Sequence, residues 1–169
     1  MRRSRKKYKK PIKAWDKQRI ESERVIVKEY GLRNKKEILV SESILRKFRR
    51  MGRNAAAKKD KDMERILINK MIRLGLLKEG VGLDDVLGLT LANILERRLQ
   101  TIIFRKGLAN SMRQARQLIV HGHVTVNGRK IVYPSYMVSR DDESNIAVDV
   151  MLPKKVLPAA EVKTGETNG

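Results

Sequence analysis

The stretch "SMRQARQLIVHGHVTVNGRKI", residues 111–131, carries the clearest local signals in the sequence. Ser111 and Gln114 form the S-x-x-Q pattern of a capping box, which predicts that a helix begins here. Gly122 predicts where that helix ends. The Asn-Gly pair at 127–128 is the strongest short signal for a two-residue type I′ turn, and alternating valines precede it. The stretch therefore predicts a helix that leads directly into a β-hairpin.

The sequence on either side extends this unit. The segment "LTLANILERRLQTIIFRKG", residues 89–107, predicts one continuous helix with its leucines and isoleucines on one side. Polar residues occupy the adjacent arc: Arg97, Arg98, Thr101 and Arg105. Downstream, "NIAVDV", residues 145–150, predicts a last strand. The order helix, helix, hairpin, strand predicts an α+β module in which two helices pack on a short antiparallel sheet.

Two more helices are predicted in the first half of the chain, followed by a loop at 80–90. Ser41 is a good N-cap for the first, and Asp62 and Gly75 bound the second. The second helix is predicted to bury Ile66, Leu67, Met71, Ile72 and Leu74. Opposite the apolar side of the first helix lie Arg46, Arg49, Arg50 and Arg53. These arginines have no acid among them for intrahelical pairing, so an anion contact is favoured over a merely solvated face.

The charge balance indicates what kind of partner the chain has. The 169 residues include 39 lysines and arginines against 19 acidic residues, a formal net charge of +20. Such a positive charge suits a polyanionic partner, and nucleic acid is a stronger candidate for that partner than an acidic membrane surface. Aromatic residues make up only 4%, which favours folded or duplex RNA over single strands. Cysteine is absent, which excludes disulfides and thiolate metal sites, and no apolar run approaches the roughly 20 residues of a membrane span.

The positive charge falls in two separate blocks. Residues 1–59 hold 22 basic and 6 acidic side chains, and residues 91–140 hold 9 and 1. The block between them is nearly neutral. This asymmetry predicts two anion-facing surfaces. The first 20 residues lack a hydrophobic period and are predicted to be an extension that becomes ordered on its partner, with a solvated tail as the alternative. Candidate contacts in this extension are Arg2, Arg3, Lys6 and Lys7.

His121 and His123 form a His-x-His pattern between the helix and the hairpin. Without a third ligand nearby, this pattern supports a metal site only weakly, and we expect neither a metal nor another cofactor. A histidine at a helix C-terminus is favourable against the helix dipole. Either imidazole could also donate to a phosphate. A capping role and an RNA-backbone contact therefore stay open as alternatives.

Residues 95–138, from "LERRLQ" to "PSYMV", closely resemble the S-four-type RNA-binding domain, and "SMRQARQLIVHGHVTVNG" matches its helix-to-hairpin pattern almost throughout. Upstream, "KEYGLRNKKEILVSESILRKFRRMGR" is similar to the small-subunit ribosomal protein four family in its archaeal or eukaryotic form. The resemblance covers about residues 1 to 155. It divides the chain into a basic extension (1–40), a helical domain (41–93), the RNA-binding domain (94–150) and a flexible tail (151–169).

The resemblance implies a structural role in the small ribosomal subunit in the cytoplasm. The family binds the 5′ domain of small-subunit rRNA, helps to start assembly and contributes to translational accuracy. Its implied partners are that rRNA, neighbouring small-subunit proteins and mRNA where it enters the subunit, and no membrane. Bacterial relatives can carry a cysteine-bound zinc, which the absence of cysteine excludes here.

Carried over position by position, the resemblance implies RNA contacts at Arg97, Arg98, Arg105, Lys106, Arg113, Arg116, His121, His123, Arg129 and Lys130. We hypothesise that the helix and the hairpin form one phosphate-binding concavity around the His-Gly-His elbow, residues 121–123. The double variant Arg97→Glu with Arg116→Glu is then predicted to abolish RNA binding and leave the circular dichroism native. The segment "RDDESNI", residues 140–146, replaces a Gly-Asp turn common in the family, so the resemblance leaves its geometry open.

Two other functions stay in view. An RNA-modifying enzyme or tRNA ligase that carries this module would need a catalytic domain. The remaining chain shows no phosphate-binding glycine loop, no His/Cys nucleophile pair and no carboxylate pair in a pocket-like context, so we predict no enzyme. A free-standing RNA chaperone or ribosome-rescue protein would carry the same module. The basic block at 1–59 favours permanent burial in rRNA instead.

Overall fold

The computed structural model describes residues 6–149, so the candidate contacts Arg2 and Arg3 and the predicted tail at 151–169 lie outside the described residues. In chain order the elements are α1 (Lys17–Glu29), α2 (Lys35–Lys58), α3 (Lys61–Arg73), α4 (Leu83–Gly88), α5 (Leu91–Glu96), α6 (Leu99–Arg105), α7 (Met112–Val120), β1 (Val124–Val126), β2 (Arg129–Lys130), α8 (Arg140–Glu143) and β3 (Ile146–Val148). None of the helices in this range combines the length and the apolar character needed to cross a bilayer.

A helical N-terminal region precedes a small module in which α6 and α7 pack on a three-stranded sheet. The strand order is β2-β1-β3, and both pairings are antiparallel. The core of the module includes Leu99, Ile103, Ile119, Val124 and Val138, each fully buried. A separate apolar cluster joins α2, α3 and α4. This arrangement confirms the predicted α+β fold.

The hairpin forms as its Asn-Gly pair predicts. Asn127 and Gly128 both have positive φ angles, 51° and 74°, as a type I′ turn requires. The turn sets the register in which Val126 lies opposite Arg129. Because side chains alternate across a strand, Val124 and Val126 enter the core while the residues between and beside them face outward.

Helix α7 begins at its predicted cap, but only half of the predicted capping box forms. The Ser111 hydroxyl accepts a hydrogen bond from the Gln114 backbone N–H at 3.2 Å. The Gln114 side chain accepts from the backbone N–H of Asn110 at 2.7 Å instead of reaching Ser111. The cap still provides a partner for one of the free N–H groups of the first turn.

The predicted starting points of α2 and α3 were wrong. Helix α2 begins after Asn34, and Ser41 lies buried within it. The reason is that Ile38, seven residues before Leu45, extends the buried stripe by two turns. Helix α3 begins after Asp60, whose side chain accepts two backbone N–H bonds at 3.1 Å. Asp62 falls in its first turn.

Some parts of the helical region also differ from the prediction. Ile66 was expected in the core but is 64% exposed, because only Leu67 and Met71 of α3 point fully inward. The predicted loop at 80–90 contains α4. Helix α1 and the start of α2 fall within the predicted extension at 1–40. The domain boundaries themselves stay a prediction.

The helix predicted over 89–107 is interrupted at Arg97 and Arg98. The Arg97 carbonyl accepts the N–H of Val138 at 3.0 Å, and the N–H of Leu99 donates to the Tyr136 carbonyl at 2.8 Å. Arg98 thereby forms an isolated antiparallel bridge with Met137. Two helices, α5 and α6, result because the segment after the hairpin takes over the backbone hydrogen bonds at this point.

Candidate nucleic-acid interface

The His-Gly-His elbow bends the chain from α7 into β1. Gly122 has a φ of +77°, a left-handed conformation that glycine adopts without strain. The end of the Lys130 side chain lies against Gly122, so that a Cβ placed there would come within 2.1 Å of Lys130 Cε. The imidazole centroids of His121 and His123 are 6.3 Å apart. The elbow therefore gathers three hydrogen-bonding side chains around a glycine that leaves room for them.

The exposed face of the hairpin continues from this elbow. Thr125 lies opposite Lys130 in the register, on the side of the sheet away from the buried valines. Lys130 is exposed on this side, whereas Arg129, opposite Val126, is exposed at the edge strand on the other side. Arg113 on α7 is exposed as well. Among residues 6–149, no group of three or more histidine, cysteine or acidic side chains is placed to hold a metal ion. The exposed side chains of Arg113, Arg129 and Lys130 are cationic hydrogen-bond donors suited to phosphate.

A second cationic surface lies on α2. Arg46, Arg50 and Arg53 are exposed. Contrary to expectation, Arg46 has an acid within reach on its own helix: its Nη2 is 3.9 Å from Glu42, a loose contact. We call Arg46, Arg50 and Arg53 the α2 basic face. Lys6 and Lys7 of the N-terminal segment are exposed as well.

Arg49 is turned inward and does not belong to this face. Its Nη2 donates to the Leu89 carbonyl at 2.6 Å, which ties α2 to the segment between α4 and α5. Its buried Nε has no hydrogen-bond partner among the described residues. In the free protein, Arg49 therefore helps to hold α2 against the segment between α4 and α5.

Three arginines that the sequence assigned to RNA form contacts inside the protein. Arg97 donates to Glu143 at 2.8 Å and to the Val138 carbonyl at 3.1 Å. Arg98, 3% exposed, donates to Glu37. Arg116 also donates to Glu37, at 2.7 Å. These guanidinium groups hold separate segments together.

Glu37 is the acid that pairs with two of these arginines, and the sequence did not predict this role. Its Oε2 accepts from both Arg98 and Arg116, which lie 61 and 79 residues away in the chain. Burial by itself raises the pKa of Glu37, but the hydrogen bonds from Arg116 and Arg98 outweigh it and lower the pKa below the ordinary 4.5. Burial also lowers the pKa of the Arg98 guanidinium. The helical period that starts α2 at residue 35 could have placed Glu37 on a helix, but not beside these arginines.

Gln100 completes this network between the helical region and the module. Its Nε2 donates to the carbonyls of Gly31 and Met112, at 3.2 and 2.9 Å. Its Oε1 accepts from Arg116 Nε at 3.1 Å. Because the buried side-chain amide of Gln100 both donates to the loop after α1 and accepts from Arg116, it fixes the position of Arg116 relative to that loop.

The two cations at the end of α6 are exposed, and each has a hydrogen-bond acceptor within the protein. Arg105 donates to Glu96 at 2.8 Å, and this hydrogen bond raises the pKa of Arg105. Glu96 also accepts from the Tyr30 hydroxyl at 3.1 Å, and burial together with Glu96 raises the pKa of Tyr30 to about 12. Lys106 donates to the Glu143 carbonyl. Both cations remain open to solvent and to an anion.

These contacts reverse one prediction from the sequence. In Arg97→Glu with Arg116→Glu, a carboxylate at position 97 would face Glu143, and one at position 116 would face Glu37. We expect the double variant to lose stability by several kcal/mol, because like charges replace partly buried ion pairs. Circular dichroism with thermal unfolding checks this. A variant that melts like the unmodified protein would contradict the structural role of both arginines.

The sequence is similar to proteins of known families. The family profile described as "S4 domain" matches residues 97–144. Proteins described as "Small ribosomal subunit protein uS4", from the Lassen and Kamchatka strains of Saccharolobus islandicus, are each 47% identical to this chain over 148 residues. The aligned part covers 85% of this chain and 82% of each relative.

Proposed function

This chain belongs to the uS4 family of small ribosomal subunit proteins, and from that premise we propose that it binds the 5′ domain of small-subunit rRNA directly and nucleates assembly of the subunit. The family is one of structural ribosomal proteins, not of enzymes, in agreement with the sequence prediction. The archaeal origin of the relatives also agrees with the predicted archaeal or eukaryotic form.

The observation that carries the proposal is the pair of cationic surfaces on one chain. The α2 basic face and the exposed side chains of the elbow and hairpin present cations from two different parts of the fold. Folded RNA offers phosphates on several helices at once, and a protein that contacts two of them can fix their relative position. Such a two-sided contact suits a protein that organises an RNA junction early in assembly.

The contacts we propose for RNA are the exposed members of the predicted set. In the described part of the chain these are Lys6, Lys7, Arg46, Arg50, Arg53, Arg105, Lys106, Arg113, His121, Arg129 and Lys130, with half-buried His123 beside them. Arg49 and Arg97 support these contacts from within the protein. We further propose neighbouring small-subunit proteins and entering mRNA as partners in the cytoplasmic ribosome, and through them a contribution to translational accuracy.

The free-standing RNA chaperone is the second candidate function. The same cationic surfaces would serve it, since a chaperone also binds phosphates on folded RNA. It differs in selectivity, because a chaperone binds many structured RNAs with similar affinity. Sedimentation of cell extract through a high-salt gradient would distinguish the two functions, because it shows whether the protein stays with the small subunit.

We expect titration of the protein with small-subunit 5′-domain RNA to show high affinity and a steep salt dependence. Each phosphate contact adds about 0.7–0.9 to the slope of log affinity against log salt concentration. An unrelated structured RNA of equal length is the control, and it should bind at least about a thousandfold more weakly if the site is specific. Equal affinities for both RNAs would contradict the ribosomal proposal and favour the chaperone.

A further inference from the structure

A cleft of about 370 Å³ lies between α2 and the turn that follows the hairpin. Ile94 and Arg98, both almost fully buried, form its floor. Val40 and Ile44 line one wall, and Met137 lies in the wall opposite. Its volume falls in the range of about 300–1,000 Å³ typical of sites that hold a small organic group. The cleft is therefore large enough for more than a solvent molecule and has two apolar sides.

The floor of the cleft carries more positive charge than the protein compensates. Arg98 and Arg116 share the single carboxylate of Glu37, so one charge of the two guanidinium groups is left over. Arg98 Nε is buried and has no hydrogen-bond partner among the described residues. At the mouth, exposed Lys36 adds a further cation. A ligand that suits this floor supplies hydrogen-bond acceptors, because guanidinium groups only donate.

The surroundings of the cleft connect it with the proposed RNA surface. Lys36 also borders a neighbouring hollow, which is lined on its other side by Tyr8 and Lys10 of the basic N-terminal segment. An apolar protein side chain would fit the walls but would leave the donors of the floor without acceptors, which costs free energy. A nucleobase meets both demands, since its faces are apolar and its edges carry carbonyl and ring-nitrogen acceptors.

We propose that this cleft holds the base of one unpaired nucleotide of the bound RNA. The base lies between the apolar side chains of α2 and those of the 134–137 turn. Its acceptor edge faces Arg98 and Arg116, and its phosphate stays outside near Lys36. This inference rests on the proposed function, since it assigns a specific contact within the RNA complex.

Filling the cleft tests the inference. Ser135 lies exposed at the mouth of the cleft, so Ser135→Trp places an indole where the base would enter. Ser144→Trp, at an exposed serine outside the cleft, is the matched control. The probe is small-subunit 5′-domain RNA. We expect Ser135→Trp to weaken binding at least about fivefold, the loss of one stacked base, while Ser144→Trp binds like the unmodified protein.

The salt dependence and a chemical footprint identify the kind of contact that is lost. The log–log salt slope should fall by no more than about 0.9 in Ser135→Trp, because at most the one phosphate contact near Lys36 is lost with the base. One unpaired base of the RNA should be protected from base-specific modification by the unmodified protein and by Ser144→Trp. The same base should react in the complex with Ser135→Trp, while the rest of the footprint is kept.

A second variant, Val40→Phe, fills the cleft from the α2 wall. It replaces Ser135→Trp in these measurements if circular dichroism shows that Ser135→Trp does not fold. Equal affinity and an identical footprint in a folded filling variant would overturn the inference. Unchanged RNA affinity combined with lost binding to a small-subunit protein would overturn it in favour of a protein segment in the cleft. Failure of the unmodified protein to prefer the 5′-domain RNA would instead refute the proposed function.

Discussion

Glu37→Ala is expected to lower the free energy of unfolding by about 3–5 kcal/mol. Glu37 is the carboxylate that accepts from Arg98, whose side chain is only 4% exposed, and from Arg116 at 2.7 Å. Without it, a buried guanidinium keeps its charge and loses its partner, and breaking a buried pair on one side has a large cost. Urea unfolding followed by circular dichroism measures the change.

Glu42→Ala is the matched control on the same helix. Glu42 is more exposed and lies 3.9 Å from Arg46, so its removal should change the free energy of unfolding by no more than about 0.5 kcal/mol. Equal effects of the two variants would show that the network of Glu37, Arg98 and Arg116 does not hold α2 to the module.

The pH dependence of the same measurement tests the cause. The folded-state pKa of Glu37 lies below its ordinary value of 4.5. The stability that its carboxylate contributes is therefore fully present above pH 4.5 and is lost as the pH falls through the lowered pKa. The difference between the unmodified protein and Glu37→Ala should shrink in acid, because the protonated side chain no longer compensates Arg98. A difference that stays constant down to the acid limit would indicate a packing effect instead.

Reversing charge on the α2 basic face is expected to have the largest effect on RNA affinity. Arg50→Glu with Arg53→Glu changes two exposed side chains on α2. We expect at least about a tenfold loss of affinity for 5′-domain RNA near physiological salt, and a salt slope smaller by about 1.4–1.8. The reason is that two phosphate contacts and their counterion release are lost. Filter binding over a series of salt concentrations measures both quantities.

The control is an equal charge reversal elsewhere on the surface. Lys61→Glu with Arg65→Glu changes two exposed cations of α3, in the nearly neutral block of the chain. Its net charge equals that of the α2 variant, so a general effect of charge would weaken both alike. Equal loss in both variants would argue that α2 has no specific place at the RNA, whereas a loss confined to the α2 variant would support the proposed interface.

Local signals predicted the local parts of the fold. The turn at Asn127 and Gly128 and the start of α7 at Ser111 each depend on residues within four positions, which a sequence displays directly. The last strand, Ile146–Val148, also formed where alternation placed it. The S-four-type resemblance added the order of these elements, and the match of the S4 domain profile to residues 97–144 agrees with it.

Contacts between distant segments decided what local patterns left open. The break between α5 and α6 could not be predicted from the helical period, since Leu95 and Leu99 keep the apolar spacing across it. Pairing of Arg98 with Met137 replaces the helical hydrogen bonds there. Likewise, Ser41 has a side chain suited to an N-cap, but burial of Ile38 stabilises a helix that begins before it.

The sequence by itself determined that this chain is a strongly basic α+β protein with a helix-to-hairpin module and two cationic blocks. Only the tertiary structure decided which cations face outward. Arg50 and Arg98 look alike in the sequence, yet one is exposed and the other is buried against Glu37, 61 residues away. The physical reason is that a charge takes its role from its surroundings, and whether water, a carboxylate or a phosphate lies beside a guanidinium depends on segments far apart in the chain.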